Sequence, residues 1–598
     1  MKWSILTVTA VASVLLVGAL LSPILGAPLL EDDFLQQNAA TAWLEGEDAL
    51  PGGGLRGADR STGPNLYCFV RGDPDRTEAE VASGRLPWWT FPGLELCFWR
   101  PLASLSLTMD AWLWPKSSLA MRIHGLLWFA ALVFSFAYLV GRAVAPSAAV
   151  LSVLVFALDD TRFAIAWWPA NRYATIAAVF GILGLIAHTR LRRGRPLLAP
   201  IASAALLVVA LLAGESALGF LGYLLAWEIV AARDGIGRRI WGASVPSLMA
   251  MCWLVAYRIR GFGASGSDSY LDLATPAGTA LATFILRTGR LIGAQIAGVA
   301  AEFGESVPTF DPFQQAFAAA ALASLVVGVR LAFPGLPATE RTSVLWFGLG
   351  SLLALPVAAT SASDDRLLLV PSIGASVVIA VVLREAWRVR SGKSAREAGL
   401  LAIGLPLAIV TGLGGAIRWV GNVSGTARAV ALREGIARDL APWLTDEREP
   451  RVLVLTAPMS AIWLFADEQI TWNGSPALSK ALPVSPLAAD HRISRTGERT
   501  LELESLGRPM SEAFGWRLMR SHAHPLRSGE RIVNGPFTIT VLDGDPAGVR
   551  RIQLESERDL DDPALIFSIW QDGGLRRLFL PRIGASMIVR GAPALPSS

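Results

Sequence analysis

Glu31, Asp32 and Asp33 set three consecutive carboxyl groups directly behind an apolar run, residues 3–25. Three neighbouring carboxylates repel one another, so at least one should keep its proton to higher pH than a lone carboxyl. A carboxyl tuned that way suits a general base that takes a proton from an acceptor hydroxyl. The plainer reading is a set of acidic residues trimming the outer end of a helix. Other polar residues interrupt apolar sequence further on: His124, Asp159 and Asp160, Asn171 and Arg172, Glu215, Arg258 and Arg260, then Asp364, Asp365 and Arg366. A guanidinium presents a planar fork that matches the oxygens of a phosphate. Carboxylates for proton transfer and arginines for phosphate would together receive a lipid phosphate entering sideways from a bilayer. Trp167 and Trp168 read equally well as interfacial anchors, with Arg172 snorkelling beside them.

The elements that must hold these residues are membrane helices. The 598 residues are 53% hydrophobic and 17% charged, with a mean hydropathy of +0.45. A soluble globular domain carries about 25% charge, so an ordinary soluble enzyme is excluded, and so is a disordered chain. Apolar spans are expected at residues 3–25, 119–140, 146–164, 173–188, 197–213, 215–232, 239–257, 312–332, 343–360, 367–384 and 398–417, eleven in all. The loops 190–196, 233–239 and 384–396 are rich in arginine, which marks cytoplasmic loops and puts the N-terminus in the cytoplasm and the C-terminus outside. The net charge of +4 is therefore read as topology, with no nucleic-acid partner. Residues 278–300 look apolar but contain Arg287 and Arg290. Each charge at mid-bilayer costs about 2.5–3.5 kcal/mol, so this segment is expected as an amphipathic helix on the outer surface.

The expected organisation is a first span or signal anchor at 1–28 and a periplasmic acidic loop at 29–118. Spans two to seven follow at 119–257, a periplasmic loop with the amphipathic helix at 258–311, spans eight to eleven at 312–417, and a β-rich periplasmic domain at 418–598. Small residues at Gly26 and Ala27 leave signal cleavage as the alternative to a retained first span. In the last part, residues 451–455, 500–504 and 537–541 alternate as strands do, with Gly/Asp turn chemistry at 543–546 and 572–574. Cys68 and Cys97 share the first outer segment, as a bridge or as two free thiols. His522 and His524 read better as loop histidines than as metal ligands, having no partner carboxylates in sequence. No phosphate-binding loop, nucleophile elbow or paired CxxC occurs.

The order of these motifs resembles the GT-C superfamily of polytopic glycosyltransferases, in particular the protein O-mannosyltransferases and their bacterial relatives. Asp32 and Asp33 are similar to the acidic pair that follows the first helix there. Arg100, Pro101 and Leu102, with Ser104, Leu105 and Asp110, are similar to an "RPL…D" passage, and His124 to the polar residue opening the second helix. Residues 166–172 resemble the segment ending in Arg before the fourth helix, and Gly214, Glu215 and Ser216 a "KES" passage. Residues 365–372 resemble "ERxLYxPS", with Asp for Glu and Leu for Tyr. The likeness runs through about residues 1–390. It departs at Trp128, near where a second His is usual, at Asp159 and Asp160 in place of His-Pro, and in a tail without tetratricopeptide repeats.

The spans and strands read above predict an α-helical polytopic membrane protein of about eleven transmembrane helices with a C-terminal β-rich soluble domain, and the span count also suits the protein mannosyltransferases. The resemblance implies inverting transfer of a sugar from a polyprenyl-phosphate donor, at the periplasmic face of a bacterial inner membrane, to a glycan, lipid or protein acceptor. Asp32 would be the base, with Asp33 orienting it or holding a divalent metal; no other cofactor is implied. Arg172 and Arg366 would neutralise the phosphate, and Arg100, His124 and Asp160 would complete the substrate site. The rival is a non-catalytic scaffold that keeps this fold and binds partners through its outer domain. A transporter should show two related halves with broken helices, and no such repeat is found.

Overall fold

The computed structural model describes residues 2–46, 65–272, 275–389, 394–444, 451–457, 472, 481–546, 548–571 and 573–591. Its first half contains α1 (Lys2–Leu21), α2 (Asp32–Glu45), α3 (Pro74–Ala82), α4 (Pro101–Leu113), α5 (Ser118–Ala143), α6 (Pro146–Leu158), α7 (Phe163–Trp167), α8 (Arg172–Leu191) and α9 (Leu198–Leu211). Next come α10 (Gly219–Val230), α11 (Ile236–Ile259), α12 (Ala277–Ala297), α13 (Phe303–Ser306), α14 (Asp311–Ala332), α15 (Ala338–Ala358), α16 (Leu369–Arg388), α17 (Ala395–Ala408) and α18 (Gly415–Leu444).

Among the described residues, eight helical segments are long and apolar enough to cross a bilayer: Trp3–Leu21, Ser118–Ala143, Pro169–Leu191, Ile236–Ile259, Pro308–Gly335, Ala338–Ala358, Asp365–Arg388 and Ala395–Leu440. The other three expected positions hold shorter apolar helices, α6, α9 and α10. Local chemistry shortens them. Pro146 opens α6, and the Asp159 side chain caps a 3₁₀ turn at its end. Gly214 takes an extended conformation between α9 and the 3₁₀ turn Glu215–Leu218. The expected last span also differs. After α17 one π-helical turn, Ile409–Gly414, leads straight into α18, which keeps Trp419 and Val430 in the core of the helical bundle. The β-rich unit therefore starts at Arg451 rather than at 418.

Charged groups close the bundle on the face away from Asp32. Arg192, at the end of α8, grips Glu228 of α10 through two hydrogen bonds of 2.8 Å, and His188 Nε2 lies 2.8 Å from the same carboxylate. Arg384 of α16 grips Glu340 of α15 at 2.6 and 3.0 Å, and Glu340 accepts the Ala145 amide behind α5. The arginine-rich loops thus share one end of the bundle. Segment α12 lies along α14 and turns both of its arginines inward: Arg290 pairs with Asp311, and Arg287 donates to the Asp268 and Thr360 carbonyls. That leaves Leu281, Ile285 and Leu286 exposed on its other side.

Strands β1 (Cys68–Arg71), β2 (Glu95–Cys97) and β3 (Gly263–Ser265) form a small antiparallel sheet over the outer face, with Cys68 and Cys97 paired in register and joined by a disulfide. The C-terminal strands are β4 (Arg451–Thr456), β5 (Ala481–Pro483), β6 (His491–Arg495), β7 (Thr500–Ser505), β8 (Arg531–Asn534), β9 (Phe537–Asp545), β10 (Gly548–Ser556), β11 (Leu565–Gln571), β12 (Gly574–Arg577) and β13 (Ser586–Val589). They make a six-stranded antiparallel sheet, β13-β6-β7-β10-β9-β8, and a four-stranded sheet, β12-β11-β4-β5, in which β4 runs parallel to both neighbours. In β7 inward Leu501 and Leu503 alternate with less buried residues, the period-two pattern of a strand with one face on a core.

This domain is clamped to the first outer loop. Trp88 and Trp89 are fully buried beside Trp516, with Trp89 stacked on it at 5.5 Å. Arg520 donates to the Trp89 and Thr90 carbonyls at 2.6 and 3.0 Å, and Asn534 to those of Val81 and Leu86 at 2.7 and 2.9 Å.

Candidate functional site

The turn after α1 carries Glu31, Asp32 and Asp33 onto the start of α2, where unpaired helix N–H groups and the helix dipole favour negative charge. Arg122, buried in the first turns of α5, fixes that turn. Its guanidinium donates to the carbonyls of Leu25 (3.0 Å), Ala27 and Pro28 (2.7 Å) and lies over the Trp167 ring. Glu31 adopts φ +50° and ψ −125°, a region an L-residue enters at a cost of about 1–3 kcal/mol. An ion pair with Arg433 of α18 (2.8 Å) holds it there.

The two aspartates have different environments. Asp33 is buried, and its oxygens accept the Ala170 amide at 2.8 Å and the Leu30 amide at 3.3 Å. It ties the end of the first span to the turn that opens α8. Burial pushes its carboxyl up to about 7, against the opposing effect of Arg122. Asp32 is half-buried, and no described residue hydrogen-bonds its carboxylate. Burial and the neighbouring Glu31 push it up to about 6, while Arg366, Arg100 and Arg433, in that order, pull the other way.

Arg366 and Arg100 are held by aromatic rings and one carboxylate each. Arg366 lies 4.9 Å over the Trp168 ring, with its Nε 3.0 Å from Asp364 and the side chain 31% exposed. Arg100, just before Pro101 at the start of α4, stacks 3.7 Å over Tyr173 and 5.0 Å over Tyr67 and donates its Nε to Glu215 at 2.8 Å. Glu215 also accepts the Tyr257 hydroxyl at 3.1 Å. Tyr67 in turn donates its hydroxyl to the Ala170 carbonyl at 3.0 Å, beside the amide that holds Asp33.

Arg172 and His124 lie in a neighbouring buried network. Arg172 donates to Asp110 (2.6 Å), to Ser106 (3.2 Å) and to the Met121 carbonyl (2.6 Å). His124 Nδ1 lies 2.6 Å from the other Asp110 oxygen, and its Nε2 accepts the Trp128 indole N–H at 3.1 Å. With that indole as donor, Nδ1 carries the proton toward Asp110. The guanidinium is thus occupied by protein groups on both amino arms.

Asp160 belongs to a third group. It accepts Arg418 Nε at 2.8 Å, and Asp159 caps the following turn through Thr161. Gly298, the left-handed cap of α12 (φ +67°), presents its bare Cα to Arg418; a side chain there would collide with the guanidinium. Asp365 accepts the Ala301 amide at 2.8 Å. Glu302 is pushed up to about 7 by burial and by Asp364. Among the described residues no three His, Cys, Asp or Glu side chains gather to hold a metal, and both Asp33 oxygens are engaged by amides, so the residues present do not fit a divalent cation. His522 pairs with Asp268 and His524 stacks on Phe91, so the two imidazoles serve different contacts.

The structure thus brings Asp32 into the field of Arg366 and Arg100, and places Arg172 with His124, and Asp160 with Arg418, in separate networks. Sequence reasoning missed Tyr67, Tyr173, Arg122, Glu302, Arg418 and Arg433. Only Arg122 left a signal, as a lone cation in the first turns of an apolar helix.

No family model matches this sequence, and neither does any curated protein. Among solved structures, the chain is similar to ArnT from Cupriavidus metallidurans bound to undecaprenyl phosphate, at 13% identity and a TM-score of 0.38, over 79% of this chain and 85% of that one. It is similar to the oligosaccharyltransferase AglB from Archaeoglobus fulgidus in complex with an inhibitory peptide and a dolichol-phosphate, at 11% identity and a TM-score of 0.38, over 81% and 64%. It is also similar to the arabinofuranosyltransferase AftD from Mycobacteria, at 15% identity and a TM-score of 0.39, over 93% and 42%.

Proposed function

We propose that this chain is a membrane glycosyltransferase of the GT-C type, which transfers a sugar from a polyprenyl-phosphate donor to a hydroxyl acceptor on the non-cytoplasmic face of a bacterial inner membrane. The observation that carries the reading is Asp32: a carboxylate with no hydrogen-bond partner among the described residues, pushed up to about 6, just beyond the first apolar helix and under the influence of Arg366, Arg100 and Arg433. A base near the working pH combines availability with driving force. Asp32 takes the acceptor proton as its oxygen attacks the anomeric carbon, and the sugar–phosphate bond breaks with inversion. Arg366 and Arg100 meet the charge that develops on the departing phosphate, where fixed cations help most. Asp33 and Arg122 position Asp32; Arg172, Asp110 and His124 brace the helix starts beneath it. The Cys68–Cys97 disulfide supports an oxidising compartment for this face.

The test is release of polyprenyl phosphate from a polyprenyl-phosphate-linked sugar by the purified protein in detergent. Arg366→Ala should raise KM for the lipid donor more than it lowers kcat, and Arg366→Lys should recover part of the loss. Wild-type protein that binds no such donor would leave the scaffold reading as the better one.

A further inference from the structure

The C-terminal domain ends in a strip of sequence unlike the rest of it. Residues 573–591 contain Arg576, Arg577, Arg582 and Arg590 and no acidic residue. None of the four forms an ion pair among the described residues. Three large apolar side chains stand in the same strip: Phe579 is 78% exposed, Ile583 53% and Ile588 57%. Arg577 stacks 5.6 Å over Phe579. Cations without partners interleaved with exposed apolar side chains are poorly served by water, and they match a surface that offers phosphates above hydrocarbon.

The fold puts this strip beside such a surface. Arg418 of α18 meets Asp160, at the outer end of α6, and Arg433 meets Glu31, just beyond α1. Both partners follow apolar helices, so α18 runs along the outer face of the bundle. Trp419 and Val430 belong to the bundle core; Ile436 and Leu440 belong instead to the core of the four-stranded sheet. Asp439 accepts the Leu575 amide at 3.1 Å, at the start of the strip. Six residues of helix separate Arg433 from Asp439, about 9 Å. The strip therefore begins within a side chain's reach of the level at which the spans end. Among the described residues, no hydrogen bond or ion pair joins the opposite edge of the six-stranded sheet, β8, to α18; its Asn534 bonds instead to the Val81 and Leu86 carbonyls.

We propose that residues 576–590 form a membrane-docking strip, by which the C-terminal domain rests on anionic lipid headgroups next to the helical bundle. Arg576, Arg577, Arg582 and Arg590 meet the phosphates, and Phe579, Ile583 and Ile588 enter the interface between headgroups and chains. The proposal does not depend on sugar transfer and concerns how the outer domain is held.

The test uses the full chain in nanodiscs, with Cys252→Ser to remove the free thiol. One reporter cysteine, Ile588→Cys, carries a bimane label; Val533→Cys on the opposite edge, itself exposed, is the control. With nitroxide-headgroup lipid in phosphatidylglycerol/phosphatidylcholine discs, quenching at 588 should be several-fold greater than at 533. Each Arg→Gln in the strip should lower the docked-to-free ratio about fivefold, and pure phosphatidylcholine should act in the same direction. Equal quenching at the two edges would overturn the proposal. So would quenching at 588 that ignores lipid charge and all four Arg→Gln changes. Protection of 588 from lipid and water quenchers together, rising with protein concentration, would assign the strip to a second copy and overturn it as well.

Discussion

Asp32→Asn keeps the shape of the side chain and removes its charge, so it separates chemistry from packing. A positioned general base contributes about 10²- to 10⁴-fold to rate, and that factor should be lost. Stability should move the other way. Burial and Glu31 disfavour the anion and push the folded carboxyl up to about 6, above the ordinary aspartate value of about 3.9. The folded protein therefore holds this proton between those two values while the unfolded chain releases it. The ionised carboxylate weakens the fold as pH rises from about 4 to 6, and the penalty is complete above 6. The shift corresponds to about 3 kcal/mol at 1.36 kcal/mol per unit, and partial solvent exposure of the half-buried group lowers that to about 2 kcal/mol. Asp32→Asn should thus melt higher than wild type at pH 7.5 and no differently at pH 4. Wild-type kcat should fall as pH drops through about 6. The assays are thermal melts of the detergent-purified protein at both pH values, and restoration of the missing glycan when a deletion strain is complemented. Full restoration by Asp32→Asn at normal expression would refute the base assignment. Equal melting temperatures at pH 7.5 would refute the electrostatic account of Asp32.

Arg172→Ala strands the fully buried Asp110, a loss of about 3–5 kcal/mol, so membrane yield and melting temperature should drop before any change in donor KM is seen. Trp516→Ala removes the ring that packs on both Trp88 and Trp89, at about 3–5 kcal/mol; limited proteolysis should then cut residues 74–90 faster than in wild type. Reducing Cys68–Cys97, with 29 residues of separation, should cost about 3–4 kcal/mol on the loop-entropy estimate, read as a drop in melting temperature under dithiothreitol. Accessibility labelling should find residue 193 cytoplasmic and residues 75 and 560 on the other side; a cytoplasmic 560 would move the C-terminal domain away from Asp32.

Sequence alone determined what depends on solvent and on neighbours along the chain. Apolar length placed a helix at each expected span, because backbone groups in lipid must pair within their own segment. The arginine-rich loops gathered the ends that carry them on one face. Period-two alternation at 500–504 and 537–541 located strands, because one sheet face meets a core. The sequence also singled out Asp32 and Asp33, since acidic residues next to an apolar run are conspicuous on hydropathy alone. It could not divide the labour between them. That division rests on the Ala170 amide, 137 positions away in the chain, which occupies Asp33 and leaves Asp32 free. Distance along the chain likewise hid which arginines remain open. Arg172 and Arg366 both follow spans, but Asp110 and Met121 occupy both amino arms of the first while Trp168 props the second beside its single carboxylate. Where α18 ends also lay outside the reach of hydropathy, because a helix expected to leave the bilayer near 418 is held on the bundle to 433 by Trp419, Val430 and two ion pairs. Local sequence sets which segments bury themselves in lipid; which polar groups stay unpaired depends on partners that only the packed bundle brings together.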